Sequence, residues 1–368
     1  MNPFKYGGVV DGEFFCPRPD LERSLASYIK SGQNVVIQGE RRTGKTSLVL
    51  ETVRNLKGFA LFHADFLGVR DLTDFCNRLA SAFARLEHTD SWLAKLIRSL
   101  TQLRPVVSID PSSGAPTVSL DARLAETPDS LDAILTALIE QTARRKVCVV
   151  LDEFQDILDV EDGERILAIM RSRIQLDSRT AYIFLGSVQN RMTDIFFKYK
   201  SPFYHSATSF PVGEIEYDRF LAFTQKRFAT AKRTLPQDVF DAAYRITSRN
   251  PGYTQELCEA IWQTTASGDI LTEKNIPLAL SLIYAREQDH YVFCIKQLTS
   301  LQKRMLKMIA IQEGREVFSA KSLEAANVYN RTSAKKAVAK LEKENLIYWY
   351  SNAYRFVNPF FREWVKRL

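Results

Sequence analysis

Gly39-Glu40-Arg41-Arg42-Thr43-Gly44-Lys45-Thr46 matches the phosphate-binding pattern G-x-x-x-x-G-K-[ST]. Its flanks suit that reading. Before it, Asn34-Val35-Val36-Ile37-Gln38 is the short β-branched run expected of a buried parallel strand. After it, Ser47 to Leu56 reads as a helix with Leu48, Val49, Val53 and Leu56 on one side. A strand, a glycine-rich turn and a helix gather several backbone N–H groups and the positive helix end around one anion. Residues 39 to 47, Ser47 included, are therefore expected to cradle nucleotide phosphates. Lys45 would reach the β- and γ-phosphates, and the Thr46 hydroxyl would bind Mg²⁺.

A second stretch, Val147-Cys148-Val149-Val150-Leu151-Asp152-Glu153-Phe154, is an apolar strand that ends in two carboxylates. Such a run is common by itself. Placed 107 residues after Lys45, it reads as the acidic partner of the phosphate loop. Asp152 would join Thr46 in holding Mg²⁺, and Glu153 would orient or deprotonate the attacking water. A further strand, Thr180 to Ser187, would bring Ser187 to the carboxyl end of the same sheet, where open α/β sheets present ligand-facing groups. Ser187 is thus a candidate sensor of the γ-phosphate or the water. Arg191 is a candidate arginine finger, or else an ordinary surface arginine. Asp65, ending the strand Phe59 to Asp65, could face the site or cap a helix, and His63 is expected to be a packed strand residue.

The formal charge of +7 is unevenly spread. Gln297 to Leu368 holds 14 Lys/Arg against 6 Asp/Glu, leaving 36 against 37 elsewhere. That asymmetry points to a polyanion partner or a solvated face. Five scattered cysteines argue against a disulfide framework or a zinc site and for a reducing, cytoplasmic setting. No apolar run approaches the ~20 residues that span a bilayer.

Along the chain, Leu21 to Ser31, Leu72 to Leu103 and Ser130 to Thr142 read as helices. Pro105 to Ile109 and Pro116 to Leu120 flank an Asp-Pro-Ser-Ser-Gly turn and suggest an inserted hairpin, about residues 104–121. That hairpin would contact a partner or cover a sheet edge. Past Pro211-Val212-Gly213 the pattern turns helical, at Tyr217 to Ala229, Gln237 to Thr247 and Tyr253 to Ala266, as in a small lid. The last stretch gives three helices, Ser300 to Ile311, Ser319 to Ala326 and Arg331 to Asn345, and a hairpin through Tyr348-Trp349-Tyr350 and Tyr354-Arg355-Phe356. Three helices and a hairpin describe a winged helix-turn-helix. Its third helix carries Arg331, Lys335, Lys336, Lys340 and Lys343, which would meet phosphates of double-stranded DNA. Winged helices also bind proteins, so a protein effector or self-association stands as the alternative.

These pieces together resemble the archaeal-type ATPase family, P-loop NTPases of the AAA+/STAND group. The resemblance runs from about Phe14 to Leu368. It rests on the Arg41-Arg42-containing loop, on Asp152-Glu153-Phe154, on Gly186-Ser187, on Ser201-Pro202-Phe203-Tyr204-His205-Ser206 and on Asn250-Pro251-Gly252-Tyr253. It implies ATP binding and hydrolysis with Mg²⁺, Pro251 packed near the adenine, and a role in DNA-associated processes or in mobile-element and defence systems. Two positions depart from the family pattern. Arg249 stands where a glycine usually precedes Asn-Pro, and His205-Ser206-Ala207 lacks the arginine that often follows there; Arg191 is the substitute. The expected architecture is α/β: a P-loop core with a parallel sheet flanked by helices (residues 1–212), a helical lid (213–290) and a winged helix (291–368).

Overall fold

The computed structural model describes residues 2–86, 105–109, 116–120, 128–187, 189–350 and 352–368. The chain divides into two compact units, one formed by Val9–Gly213 and the other by Met1–Gly8 with Glu214–Leu368.

In the first unit the elements run α1 (Pro19–Lys30), β1 (Val35–Gln38), α2 (Lys45–Arg54), β2 (Ala60–Asp65), α3 (Leu72–Leu86), β3 (Pro105–Ile109), β4 (Pro116–Leu120), α4 (Pro128–Arg144), β5 (Val147–Asp152), α5 (Gly163–Ile174), β6 (Ala181–Gly186), α6 (Gln189–Phe196) and β7 (Thr208–Ser209). The main sheet has the order β2-β5-β6-β1-β7, and every pairing in it is parallel. Parallel strands need crossovers, which α2 to α6 supply, so both faces are covered and the strands carry almost no polar side chains. On one face Val36, Phe62, Ala64, Val149, Leu151 and Phe184 form part of a single core. On the other, Val35, Ile37, Cys148, Val150, Ile183 and Leu185 pack with Leu25 and Ile29 of α1 and Leu48, Val49 and Val53 of α2. Strand alternation thus builds two cores from one sheet.

β3 and β4 pair antiparallel, Pro105 opposite Leu120, as a separate two-stranded sheet. The helical reading of Leu72 to Leu103 is followed as far as Leu86; its remainder and the Asp-Pro-Ser-Ser-Gly turn lie outside the described residues.

The second unit contains α7 (Tyr217–Thr230), α8 (Gln237–Ile246), α9 (Pro251–Gln263), α10 (Asn275–Lys296), α11 (Ser300–Ile311), α12 (Ala320–Ala325), α13 (Arg331–Lys343), the hairpin β8 (Ile347–Tyr350) and β9 (Ala353–Phe356), and α14 (Pro359–Val365). The sequence reading lacked α10. Its apolar side chains do not keep to one stripe: Ile276, Leu280, Ile283 and Tyr291 are buried while Leu278 and Phe293 are exposed, so no 3.6-residue period marks it. α9 is held to the winged helix. The Tyr253 hydroxyl donates to the Val357 carbonyl at 2.9 Å, its ring packs edge-on to Phe360, and Arg362 of α14 donates to Ser248 Oγ and the Ile246 carbonyl.

Arg249, at the position where the resembling family has glycine, sits in the left-handed region with φ +62°. A side chain there costs roughly 1–2 kcal/mol, against about 0.5–1 kcal/mol of extra unfolded-state freedom for glycine. Its ion pair with Glu214, 3.7 Å between two exposed side chains, offsets little. Arg249→Gly is therefore expected to raise the urea midpoint by an amount equivalent to about 1 kcal/mol or less, at unchanged m-value. A lowered midpoint would contradict this account of the turn.

Candidate nucleotide site

β1 ends at Gln38, and the chain turns through left-handed Arg42 (φ +63°) and Gly44 (φ +82°) before α2 begins at Lys45. Gly44 is the N-cap, so the open N–H groups of the first turn of α2 face into the loop. Arg18, buried ahead of α1, holds this loop from behind. One guanidinium nitrogen donates to the Thr43 carbonyl at 2.7 Å and the other to the Gly213 carbonyl at 3.0 Å. No sequence signal separated this arginine from the others near it.

Lys45 Nζ donates to the Gly39 and Glu40 carbonyls at 2.9 and 2.7 Å. Burial pushes its ammonium down to about 8, against the upward pull of Glu153 and Asp152. The neutral form is thus within reach at mildly alkaline pH, and an anion in the loop would restore the charged one.

β5 delivers its two carboxylates side by side. The Thr46 hydroxyl donates to Asp152 Oδ2 at 2.8 Å, and the Glu153 N–H donates to Asp152 Oδ1 at 2.9 Å. Burial raises the Asp152 carboxyl, but the facing His63 imidazole, the Thr46 hydroxyl and the Glu153 amide together hold it below the usual carboxylate range. His63 Nε2 is 3.7 Å from Asp152 Oδ2, too long for a hydrogen bond, and is buried without a partner. Expected to be a packed strand residue, His63 instead aims a polar atom at the site.

Glu153 itself is left-handed, φ +47° and ψ +40°, a conformation that costs a non-glycine residue roughly 1–3 kcal/mol. Its Oε2 accepts from the Ser187 hydroxyl at 2.7 Å and from the Gln155 amide at 2.6 Å. The Ser187 hydroxyl in turn accepts from Arg41 Nε at 3.4 Å. The reason these meet is topological: β6 lies between β1 and β5, so Ser187 at its end stands between the phosphate loop and the acidic pair. Gln155 was not anticipated, since a glutamine two residues past an acidic pair carries no pattern of its own.

Two expected residues fall elsewhere. Arg191 forms a two-nitrogen pair with Asp159, 2.8 Å at each contact, and approaches Asp156 at 3.8 Å, so it is engaged away from Glu153. Asp65 is exposed and accepts from the Leu67 N–H at 2.9 Å in the turn after β2, where it caps no helix. Pro251 opens α9 in the second unit, where the Asn250 side chain accepts from the Gly252 and Tyr253 amides.

The donor set fits a nucleotide with a hard cation. A hydroxyl and a carboxylate within hydrogen-bond contact are oxygen ligands of the kind Mg²⁺ takes. Lys45 and the loop amides supply the positive side. Among the described residues no group of three His, Cys, Asp or Glu suggests another metal, and all five cysteines are free.

On the winged helix, Arg331, Lys335, Lys336, Lys340 and Lys343 all lie on the exposed side of α13, with Ala334, Ala337, Val338 and Leu341 beneath. Lys340 is ion-paired with Glu344. Among the described residues no helix is long and apolar enough to cross a membrane.

Residues 289–367 match a family model described as "Probable winged helix domain". No curated protein matches the chain. Solved structures match it over nearly its whole length. The Walker-type ATPase PABY2304 of Pyrococcus abyssi has a TM-score of 0.66 at 17% identity, with 100% of both chains covered. The ORC2 protein of Aeropyrum pernix, in ADPNP–ADP complexes, gives 0.56 at 14% identity, covering 100% of this chain and 96% of that one. The Aeropyrum pernix ORC1 protein in complex with DNA gives 0.53 at 12% identity, covering 96% and 93%. The chain accordingly shares the fold of these ATPase structures, a parallel five-stranded sheet flanked by helices with a C-terminal winged helix.

The lowered Lys45 makes a direct test possible. Its folded value lies below the unfolded one, so the charged form costs stability below about pH 8, and that cost lifts as pH rises from 8 towards 10.5. ADP binding at pH 8.5 is expected to take up protons, because the phosphates favour the ammonium. Calorimetry in two buffers of different ionisation enthalpy should give different apparent enthalpies, and Lys45→Arg should remove that difference. Identical enthalpies for the native protein would show that Lys45 does not titrate there.

Proposed function

We propose that the protein is a Mg²⁺-dependent ATPase whose nucleotide state is coupled to double-stranded DNA through the winged helix. The observation that carries this reading is the convergence at the carboxyl ends of β1, β5 and β6, with Thr46 on Asp152 at 2.8 Å and Ser187 on Glu153 at 2.7 Å.

In this reading residues 39 to 47 bind the phosphates through backbone amides and Lys45. Thr46 and Asp152 hold Mg²⁺, which supplies charge neutralisation on the phosphate oxygens. Glu153 orients the water and takes its proton. Both of its hydrogen-bond donors sit on Oε2, which leaves Oε1 for the water. Ser187 and Gln155 fix the carboxylate's direction, and Arg41 joins Ser187 to the phosphate loop. Arg191, paired with Asp159, serves as a finger only if that pair opens, and a finger from a second copy is the other route. The cytoplasmic setting expected from the cysteines suits an ATP-dependent protein.

The DNA half of the proposal draws support from the exposed basic face of α13 and the excess of 14 basic over 6 acidic residues from Gln297 onward. Within the second unit, Tyr253 and Arg362 tie the Pro251 turn and its neighbouring loop to the winged helix, so a load on that turn reaches the DNA-facing elements.

Turnover of ATP, measured with and without duplex, tests both halves. Glu153→Gln should lower turnover by ~10²–10⁴-fold while ATP still binds. DNA should raise turnover in the native protein. Charge reversal at Lys336 should weaken duplex binding across sequences and reduce the salt slope by about one to two. Turnover in Glu153→Gln equal to native would remove Glu153 from the chemistry. Turnover blind to DNA, with no duplex affinity, would direct the winged helix to a protein effector.

A further inference from the structure

The winged helix carries a feature that duplex binding leaves unused. An open recess of about 490 Å³ lies on it, lined by Phe318, Trp349, Tyr354 and buried Val317 together with the exposed Arg331 and Glu316. The walls come from three places: the loop before α12, the first residue of α13, and both strands of the hairpin. These are the parts of a winged helix that face nucleic acid, the start of the recognition helix and the wing.

The recess is fixed in shape. The Tyr354 N–H donates to the Gly314 carbonyl at 2.9 Å. Gly314 is left-handed at φ +71°, and a Cβ there would stand 1.8 Å from the Tyr354 carbonyl oxygen, so only glycine lets the hairpin approach this closely. Tyr354 meets Trp349 at 4.8 Å between ring centroids and Phe318 edge-on at 6.2 Å. Trp349 nonetheless keeps 54% of its surface open to solvent, and the adjacent Tyr350 lies under the Arg355 guanidinium at 4.6 Å. Exposed aromatic rings beside arginines on a strongly basic domain are costly to leave in water without a ligand.

We propose that this recess takes an unpaired nucleobase, so that the DNA this protein prefers carries an extruded or single-stranded base. The inference rests on the DNA reading above and goes beyond it. An intact duplex presents base edges and phosphates but no free ring face. A pocket lined by aromatic rings and an exposed arginine matches a ligand that joins a flat π-system to an anion. The exposed Glu316 repels phosphate from the recess itself and leaves an acceptor for a base N–H. Arg331 and the exposed Lys335 and Lys336 then hold the backbone phosphates outside. Base stacking on such rings is worth about 1–3 kcal/mol by alanine substitution, which is roughly 5- to 150-fold in affinity.

The test compares the full chain on a short duplex and on the same duplex with one unpaired base, at matched salt, by fluorescence anisotropy. The native protein should favour the unpaired base by about tenfold or more. Trp349→Ala should abolish that preference, lowering affinity for the unpaired-base probe about tenfold more than any loss on the duplex, and Trp349→Phe should retain most of it. Equal affinity for the two probes, or a preference that survives Trp349→Ala, would overturn the recess as a base site and leave the DNA reading intact. No binding to either probe would overturn both.

Discussion

The hydrogen bond from the Thr46 hydroxyl to the Asp152 carboxylate joins the first turn of α2 to the end of β5 across 106 residues of chain. It can form only because β1 and β5 run parallel with β6 between them, so that their carboxyl ends open on one side of the sheet. Everything that makes a site depends on that edge. α2 must start where β1 stops, which requires a turn through left-handed residues; glycine meets this at position 44. β5 must end in acid, and the chain must then turn sharply, which Glu153 does in a strained conformation. The next residue sustains that strain, because Phe154 is fully buried among Phe66, Phe184, Phe196 and Phe203. An apolar anchor directly after the acidic pair over-determines the turn and holds the carboxylate where Ser187 and Gln155 can reach it.

The parts of this arrangement written in short-range pattern could be read from the sequence. The phosphate loop, the acidic strand and the strand ending at Ser187 are each a β-branched run closed by particular residue types, and their mutual placement comes from the parallel α/β rule. The contacts that close through space could not be read in this way. Arg18 holds the loop from a position upstream of α1, and His63 faces Asp152 from a neighbouring strand in the register that sets Asp65 opposite Asp152. Neither residue type nor spacing marks them. Arg191 was legible as an arginine near the site, but its partner Asp159 belongs to the turn after β5, so its engagement is a property of the folded chain alone. Helix α10 was missed for a different reason: apolar residues such as Leu278 and Phe293 stand on its exposed side as well as on its buried stripe, which blurs the period in the sequence.

The polar groups of the site are bonded to one another. Lys45 donates to the carbonyls of its own loop, Thr46 to Asp152 and Ser187 to Glu153. Each is a bond that a phosphate, a cation or a water would have to exchange for its own. This keeps several buried polar groups from the desolvation cost of standing unpaired. It also sets a threshold, because a ligand must offer at least as many charge-assisted contacts as it displaces. A polyphosphate with a divalent cation can do so in one step, replacing Lys45's two carbonyls with phosphate oxygens and completing the oxygen shell begun by Thr46 and Asp152. A simple anion cannot, since it would bring negative charge beside Asp152 and Glu153 without the cation that balances them. The acidic pair thus favours an anion that brings its own cation.

The same logic of balanced charge separates the C-terminal stretch from the rest of the chain. Outside Gln297–Leu368 the chain carries nearly equal numbers of acidic and basic residues, and within it the balance is strongly basic. The near-balance of charge leaves no summed positive field around the phosphate loop. On α13 five of the cations stand exposed over a core of Ala334, Ala337, Val338 and Leu341. The division works because the phosphate loop's charge is local and paired, whereas the winged helix presents its charge exposed and summed.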